Sequence, residues 1–276
     1  MQNLPRLVRV GVPALLVVGI GAFALWKLVL EVESPDEVST DAALEQLAQD
    51  LEDDSEDAGA EAEATTTSTP SADLSSSTTE AAAPVDAAVD GVVGTWVVDD
   101  EFGDFSFENA SGSFAGFRVE KTLFVGGGQT AVGRSGSVTG SITIAAGELT
   151  GGEIVVDTTQ IDSDQGGRVS AIKRVLQTGD FPTATFVVTE AVALDTDALD
   201  AGATVSTEVT GDLTIAGVTN PITIAIEATV PEPGLGLVIG SAPLVWADHG
   251  VETPTSSAGT VADDGILEFQ LIVRLG

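Results

Sequence analysis

The residue pair that comes nearest to catalytic chemistry is Asp248 with His249, which are neighbours in the sequence. Serine hydrolases need a histidine that reaches the nucleophile and an acid that orients the histidine. Adjacent side chains on an extended segment point to opposite sides, so this pair does not form such a relay. The sequence also lacks a G-x-S-x-G elbow. We therefore expect that the protein is not an enzyme and that His249 is a loop residue.

The sequence contains few residues that are suited to metal binding or redox chemistry. The chain has no cysteine and a single histidine, which excludes disulfides, thiolate sites and multi-histidine metal sites. Four acids, Asp99, Asp100, Glu101 and Asp104, could attract calcium, but their spacing differs from that of an EF-hand loop. A solvated acidic edge explains them better. We expect no metal site and no cofactor.

Charge narrows the choice of partners. With 43 acidic and 10 basic residues, the formal net charge is −33. Binding to phosphate backbones needs basic surface, so nucleic acid is not expected as a partner. Residues 91–276 contain seven basic residues, and three of them cluster as Arg168, Lys173 and Arg174. This local positive charge either pairs with nearby acids or meets an anionic headgroup.

The N-terminal third predicts membrane attachment and a linker. Residues 10–30 form an apolar run long enough to span a bilayer, and the positive-inside rule leaves residues 1–9 in the cytoplasm. We expect a single-pass plasma-membrane protein with an extracytoplasmic C-terminal domain. The alternative is a signal peptide cleaved near Ala22-Phe23-Ala24, followed by secretion. Residues 31–90 have the composition of a disordered acidic linker.

One short helix is expected inside that linker. Leu44, Leu47 and Leu51 have the spacing of one helix face, which predicts a turn or two of helix over 41–52. The alternative interpretation is a small oligomerisation contact.

Residues 91–276 read as an all-β domain. The segment 203–228 alternates apolar and polar residues on both sides of a turn expected at 217–220, closed by Pro221, so it predicts a long antiparallel hairpin. Similar alternation elsewhere gives eight to ten strands and indicates a barrel or sandwich. Helical spacing over 168–178 predicts one short helix, capped by residues 162–164 and packed over a barrel mouth.

Three segments resemble the YceI-like family of polyisoprenoid-binding proteins. GDLTIAGVTNPITI at 211–224 is similar to that family's G-x-L-T-x-x-G-V-T-x-P-V hairpin. The stretch 160–186 resembles its Ser-Ile-Asp, Arg-Arg-Asp and Phe-Pro-x-A-x-F motifs, although Val169 replaces the acid that follows the arginine. LVWADHG at 244–250 resembles the segment before the last strand. The resemblance covers roughly residues 94–276.

The resemblance implies an antiparallel eight-stranded, lipocalin-like barrel around an isoprenoid or similar amphiphilic lipid. Alternation and helix spacing then suggest an apolar lining, with Arg168 and Lys173 near the headgroup. The expected apolar lining residues are Phe117, Ile144, Val156, Ile172, Leu176, Phe181, Phe186, Leu213, Ile215, Ile224, Phe269 and Leu271. Glycines on inward faces, such as Gly211, leave room for a ligand. The alternative function is a surface interaction module whose barrel is filled by its own side chains.

Overall fold

In the computed structural model, strands dominate the C-terminal two thirds of the chain. The structure describes residues 34–60, 91–108, 111–125, 127–256 and 259–276. These residues contain thirteen strands: β1 (Gly94–Val98), β2 (Phe114–Leu123), β3 (Gly127–Ser135), β4 (Val138–Ala145), β5 (Glu148–Asp157), β6 (Thr183–Val188), β7 (Val192–Ala193), β8 (Val205–Ile215), β9 (Val218–Glu232), β10 (Leu235–Val245), β11 (Thr255–Ser256), β12 (Gly259–Val261) and β13 (Asp264–Leu275).

Within the described part of the chain, eight antiparallel strands close into a barrel. Their order is β1-β4-β5-β6-β8-β9-β10-β13, and pairing of β13 with β1 closes the ring. The long strand β13 has two partners on this side, β2 along Ile266–Gln270 and β1 along its C-terminal residues. The β2–β3 hairpin therefore extends the wall at one end of the barrel. The predicted eight-stranded antiparallel barrel is confirmed.

The β8–β9 hairpin shows how alternation builds the wall. Val209, Leu213 and Ile224 are buried inside, whereas the threonines between them face outward and pair across the strands. The predicted hairpin is confirmed, but the predicted turn is wrong. The chain reverses in two residues, Ala216 and Gly217, which both have positive φ and give the tight turn that suits two twisted strands. Pro221 lies within β9.

The barrel is closed at the end opposite this turn. Val92, Trp96 and Leu199 are each almost fully buried there, in one core with Val138 and Ile144. The indole N–H of Trp96 donates a 2.8 Å hydrogen bond to the Val92 carbonyl, so its one polar group is satisfied. Apolar side chains thus fill this end.

Three α-helices accompany the strands in the described residues: α1 (Thr40–Ala60), α2 (Gly166–Val175) and α3 (Thr196–Asp200). Helix α2 confirms the helix predicted over 168–178, but not its cap. Gln165 occupies the N-cap position without a side-chain cap, and Asp164 pairs with Arg168 one turn later. Helix α3, whose first turn is capped by Asp195, was not predicted.

Residues 35–52, which we call the N-terminal strap, lie against the outer wall of the barrel. Ala43 and Leu47 of α1 are buried there, and Leu47 is 1% exposed. They pack with outward-facing side chains of β10 and β13, namely Leu235, Leu237, Ile239 and Ile272. Residues 35–276 form one compact unit. The expectation of a disordered linker is therefore wrong for residues 35–52. The short helix predicted over 41–52 is confirmed as part of α1, whose leucine face has an apolar wall to cover.

A buried ionic cluster fixes the start of the strap. Glu268 lies between Arg118 and Arg134, with N···O distances of 2.7 Å to each. The two arginines also donate to the strap backbone: Arg118 Nη2 to the carbonyls of Pro35 (2.5 Å) and Asp36, and Arg134 Nη2 to that of Asp36 (2.9 Å). Buried charges need such complete pairing, since an unpaired one would be very costly. The outward face of β2, β3 and β13 is thus built to hold residues 35 and 36.

The predicted transmembrane segment 10–30 and the linker residues 61–90 lie outside the described residues. Among the helices that the structure describes, none has the length and apolar character needed to cross a bilayer.

Candidate ligand-binding site at the barrel mouth

The three family-like segments meet at the end of the barrel that carries the β8–β9 turn. Asn220 Nδ2 donates a 2.7 Å hydrogen bond to the Asp248 carbonyl. His249 Nδ1 lies 3.1 Å from the Val218 carbonyl, which can only accept, so Nδ1 carries a proton. His249 is buried in a short 3₁₀ turn (Trp246–His249) of the loop that follows β10, so its predicted place in a loop is confirmed. Its observed contact is structural: it ties the segment after β10 to β9.

A cavity of about 390 Å³, which we call the mouth pocket, opens at this end. One side is the face of α2 that carries Ile172, Val175 and Leu176. The opposite side is the inner wall of β2 and β3 together with Trp246 and Val251 from the segment after β10. Its volume lies in the range of roughly 300–1,000 Å³ typical of small-molecule sites. The pocket walls are mainly apolar, with polar residues at intervals.

A smaller cavity of about 80 Å³ lies deeper, at mid-barrel. It is lined by inward residues of β2, β5, β6, β8, β9 and β13. Seven of the predicted lining residues meet there: Val156, Phe186, Leu213, Ile215, Ile224, Phe269 and Leu271. Four more border the mouth pocket: Phe117, Arg168, Ile172 and Leu176. The structure thus brings eleven of the fourteen predicted residues to two cavities, and their role as ligand contacts stays a prediction.

Three predicted residues line neither cavity. Ile144 packs into the core at the closed end. Phe181 is 39% exposed and its ring lies on the β8–β9 turn, where a Cβ on Gly217 would come within 2.4 Å of it. Lys173 follows Ile172 on α2, and a step of one residue turns it by about 100° away from the pocket face. Ile144 and Phe181 thus lie outside the two cavities and Lys173 lies away from the pocket rim, and whether these residues contact a ligand stays a prediction.

Inward glycines accept phenylalanine rings from neighbouring strands. A Cβ added to Gly240 would lie 2.2 Å from Cζ of Phe269, and one on Gly211 would lie 2.5 Å from Cζ of Phe186. Phe117 covers Gly133 in the same way. The expectation that Gly211 leaves room for a ligand is therefore corrected, because Phe186 occupies that space. Each ring lies along the wall because its neighbour has no side chain.

The charges at the pocket rim are few. Arg168 borders the mouth pocket and pairs with Asp164, so part of the predicted positive charge is neutralised locally. Lys121, at the end of β2, also borders the pocket and was not among the predicted site residues. Both cations are therefore placed where a ligand would meet solvent.

Sequence reasoning also missed Trp246, which is 5% exposed and borders the mouth pocket. Its ring meets Phe117 edge-on at a centroid distance of 5.0 Å. Inward alternation from Leu244 to Trp246 at the end of β10 was the signal for it.

Comparisons with known proteins agree with the motifs. Residues 106–273, more than half of the chain, match the YceI-like domain. A polyisoprenoid-binding domain from Saccharophagus degradans, implicated in plant cell wall breakdown, is 19% identical with a TM-score of 0.48, covering 59% of this chain and 94% of its own. Burkholderia cenocepacia BcnA is 19% identical with a TM-score of 0.45, covering 58% and 95%. A Campylobacter jejuni YceI protein is 18% identical with a TM-score of 0.41, covering 52% and 84%. No curated protein matches the sequence.

Proposed function

The chain belongs to the YceI-like family, and on that premise we propose that it is a non-catalytic carrier or store for an isoprenoid or similar amphiphilic lipid. One observation supports this most directly. The mouth pocket, with walls that are mainly apolar, leads toward an apolar interior at only one end of the barrel, since the other end is filled by Val92, Trp96 and Leu199. Such a site holds one lipid molecule by its apolar tail.

The hydrophobic effect supplies enough free energy for this binding. Burial of apolar surface stabilises a complex by about 25 cal/mol per Å². A prenyl tail that buries about 400 Å² would gain on the order of 10 kcal/mol before the entropy costs of association. No specific polar contact is required for affinity, so the pocket selects its ligand by the shape and apolarity of the tail.

Membrane attachment is the finer part of the proposal. The apolar run 10–30, with Arg6 and Arg9 before it and acids after it, supports a single-pass anchor in the plasma membrane and an extracytoplasmic barrel. Secretion after signal cleavage is the alternative. Edman sequencing of the exported protein separates the two: an N-terminus near residue 25 means cleavage.

The carrier function is tested by native mass spectrometry of residues 35–276 after export from a lipid-containing host. We expect an additional mass that organic solvent releases, or uptake of an added polyprenyl lipid at one per chain. A protein that neither retains nor takes up such lipids would refute the carrier.

Arg168 provides a matched test of the headgroup. Arg168→Glu is expected to weaken binding of a polyprenyl phosphate, while Lys173→Glu, on the side of α2 away from the pocket, is expected to have little effect. Equal affinities for the two variants and the wild type would show that the phosphate does not meet α2.

The alternative, an interaction module with a filled barrel, has one observation in its favour. The mid-barrel cavity of about 80 Å³ is far below the volume of typical ligand sites. A long prenyl chain therefore needs Phe186 and Phe269 to turn away from their present positions, and failure of lipid uptake would favour this alternative.

A further inference from the structure

Two large apolar side chains project from the barrel where β2 turns into β3. Phe124 is 67% exposed and Val125 is 86% exposed, and we call this pair the hairpin tip. Strands β2 and β3 pair as far as Leu123 and Gly127, so the hairpin tip lies beyond the last pair of the ladder. A Cβ built on Gly127 or Gly128 would meet nothing within 4 Å in the described part of the chain. Adjacent apolar side chains with this exposure are candidates for an interaction surface.

The hairpin tip lies at the rim of the mouth pocket. Leu123 pairs with Gly259, which lines that pocket, and Lys121 of the same strand lines it too. Of the nine large apolar side chains that are exposed in the described residues, five lie at the mouth end of the barrel. Besides the hairpin tip, they are Phe181 on the β8–β9 turn, Val218 at the start of β9 and Val245 at the end of β10. The exposed apolar surface is therefore concentrated where a lipid would enter.

The hairpin tip also lacks the acidic charge that dominates the rest of the chain. Between Glu120 and Glu148 the sequence has no Asp or Glu, although the whole chain has 43 acidic residues. A carboxylate that enters a bilayer loses its hydration at a high cost in free energy, whereas phenylalanine, valine and glycine have no charge to desolvate. The composition of this hairpin is therefore compatible with insertion among lipid headgroups.

The length of the tether allows the hairpin tip to reach a membrane. Four residues, 31–34, separate the apolar run 10–30 from the strap, whose first carbonyls are held by Arg118 and Arg134. A chain spans at most about 3.6 Å per residue, so the tether between the proposed anchor and this cluster covers at most about 20 Å. Along β2 the hairpin tip lies six residues beyond Arg118, which corresponds to about 20 Å. The two lengths match, so a short tether and the hairpin tip can meet the same bilayer.

We propose that the hairpin tip inserts into the headgroup region of a lipid bilayer and holds the barrel mouth against the membrane. Aromatic and aliphatic side chains at this depth gain apolar burial without a complementary protein pocket. Insertion depends on the hydrophobic effect, so it needs no anionic lipid. The proposal goes beyond the proposed carrier function, since it identifies the surface from which the mouth pocket takes its lipid.

Flotation of residues 35–276 with phosphatidylcholine vesicles measures this docking without the proposed anchor. Phe124→Ser combined with Val125→Ser should weaken partitioning about tenfold or more, because the apolar area buried in lipid is lost. The matched control, Val93→Ser combined with Val97→Ser, removes two apolar side chains that are 50% and 47% exposed near the closed end. The control should partition like the wild type.

A fluorescent label gives a second readout that does not depend on the folding of the serine variants. The chain has no cysteine, so Val125→Cys and Val97→Cys each provide a single labelling site. Both carry the same environment-sensitive dye. We expect phosphatidylcholine vesicles to shift the emission of the Val125→Cys label to shorter wavelength and to leave the Val97→Cys label unchanged.

The outcomes separate this docking from the carrier function. Absence of vesicle binding, an equal loss in the two double variants, or an equal emission shift at the two labels overturns the proposal. Self-association that Phe124→Ser with Val125→Ser abolishes, without vesicle binding, would assign the hairpin tip to a second copy of the chain instead. Lipid retention in native mass spectra judges the carrier separately: retention without vesicle binding refutes only the docking, and vesicle binding without retention or uptake refutes only the carrier.

Discussion

Shortening Leu47 to alanine tests whether the N-terminal strap is part of the folded domain. Leu47 is 1% exposed and packs with Leu235, Leu237 and Ile272 on the outer wall. Truncation of a fully buried leucine usually lowers the free energy of unfolding by about 2–5 kcal/mol. The loss cannot exceed the free energy with which the strap docks on the barrel, because the strap would then simply detach. A loss of about 3 kcal/mol corresponds to a fall in Tm of about 6–12 °C for a domain of this size.

The assay is thermal unfolding of residues 35–276, with Gln49→Ala as the control. Gln49 lies on the exposed side of the same helix, so its replacement should change Tm by no more than about 1–2 °C, since exposed substitutions are nearly neutral. Cleavage after Glu45 and Glu52 by a glutamate-specific protease should also be faster in Leu47→Ala. If Leu47→Ala and Gln49→Ala have the same Tm and the same cleavage rate, the strap is not docked in solution and the argument fails.

Three further changes test other parts of the structure. Glu268→Ala leaves Arg118 and Arg134 buried without a counterion and should lower the free energy of unfolding in urea by about 3–5 kcal/mol. The control, Arg274→Ala, breaks an exposed ion pair and should lower it by less than about 1 kcal/mol. Similar losses in the two variants would contradict the buried cluster. Gly240→Ala should push the ring of Phe269 into the mid-barrel cavity and reduce uptake of long prenyl chains in native mass spectra, and unchanged uptake by the folded variant would contradict the role of this glycine. Removal of residues 1–90 should expose the apolar outer face of β10 and cause self-association, which a monomeric profile in analytical ultracentrifugation would refute.

Alternation and the family-like motifs were sufficient to predict the barrel and its β8–β9 hairpin, and helical spacing was sufficient to predict α2. Leucine spacing predicted the helix of the strap but not its docking, because composition identified residues 31–90 as a linker and the partners of Leu47 lie about 190 to 225 residues later. A signal was nevertheless present. The run Leu235-Gly-Leu-Val-Ile-Gly240 is apolar at consecutive positions, which is typical of a strand buried on both faces, and a barrel wall has water on its outer face unless something covers it.

The binding site was predictable in outline for a similar reason. Alternation decides which side of the wall a residue faces, so most inward residues were assigned correctly. It does not tell whether an outward polar residue meets water, and Arg118 and Glu268 read as ordinary surface although they are buried under the strap. Nor does it reveal contacts between strands, such as Phe186 over Gly211, which decide how much of the interior is free.

These contacts also determine how a lipid would enter. The closed end is filled by Trp96 and Leu199, so entry from the mouth past Trp246 is the route that the described structure leaves. A tail that passes the mouth pocket meets Phe186 and Phe269, whose rings lie along the wall only because glycines stand beside them. The mouth would therefore select the headgroup first, and rotation of the two rings would then set the chain length that the barrel accepts. Gly240→Ala should therefore shorten the longest prenyl chain that native mass spectrometry detects in the barrel, and an unchanged chain length in the folded variant would contradict this role of the two rings.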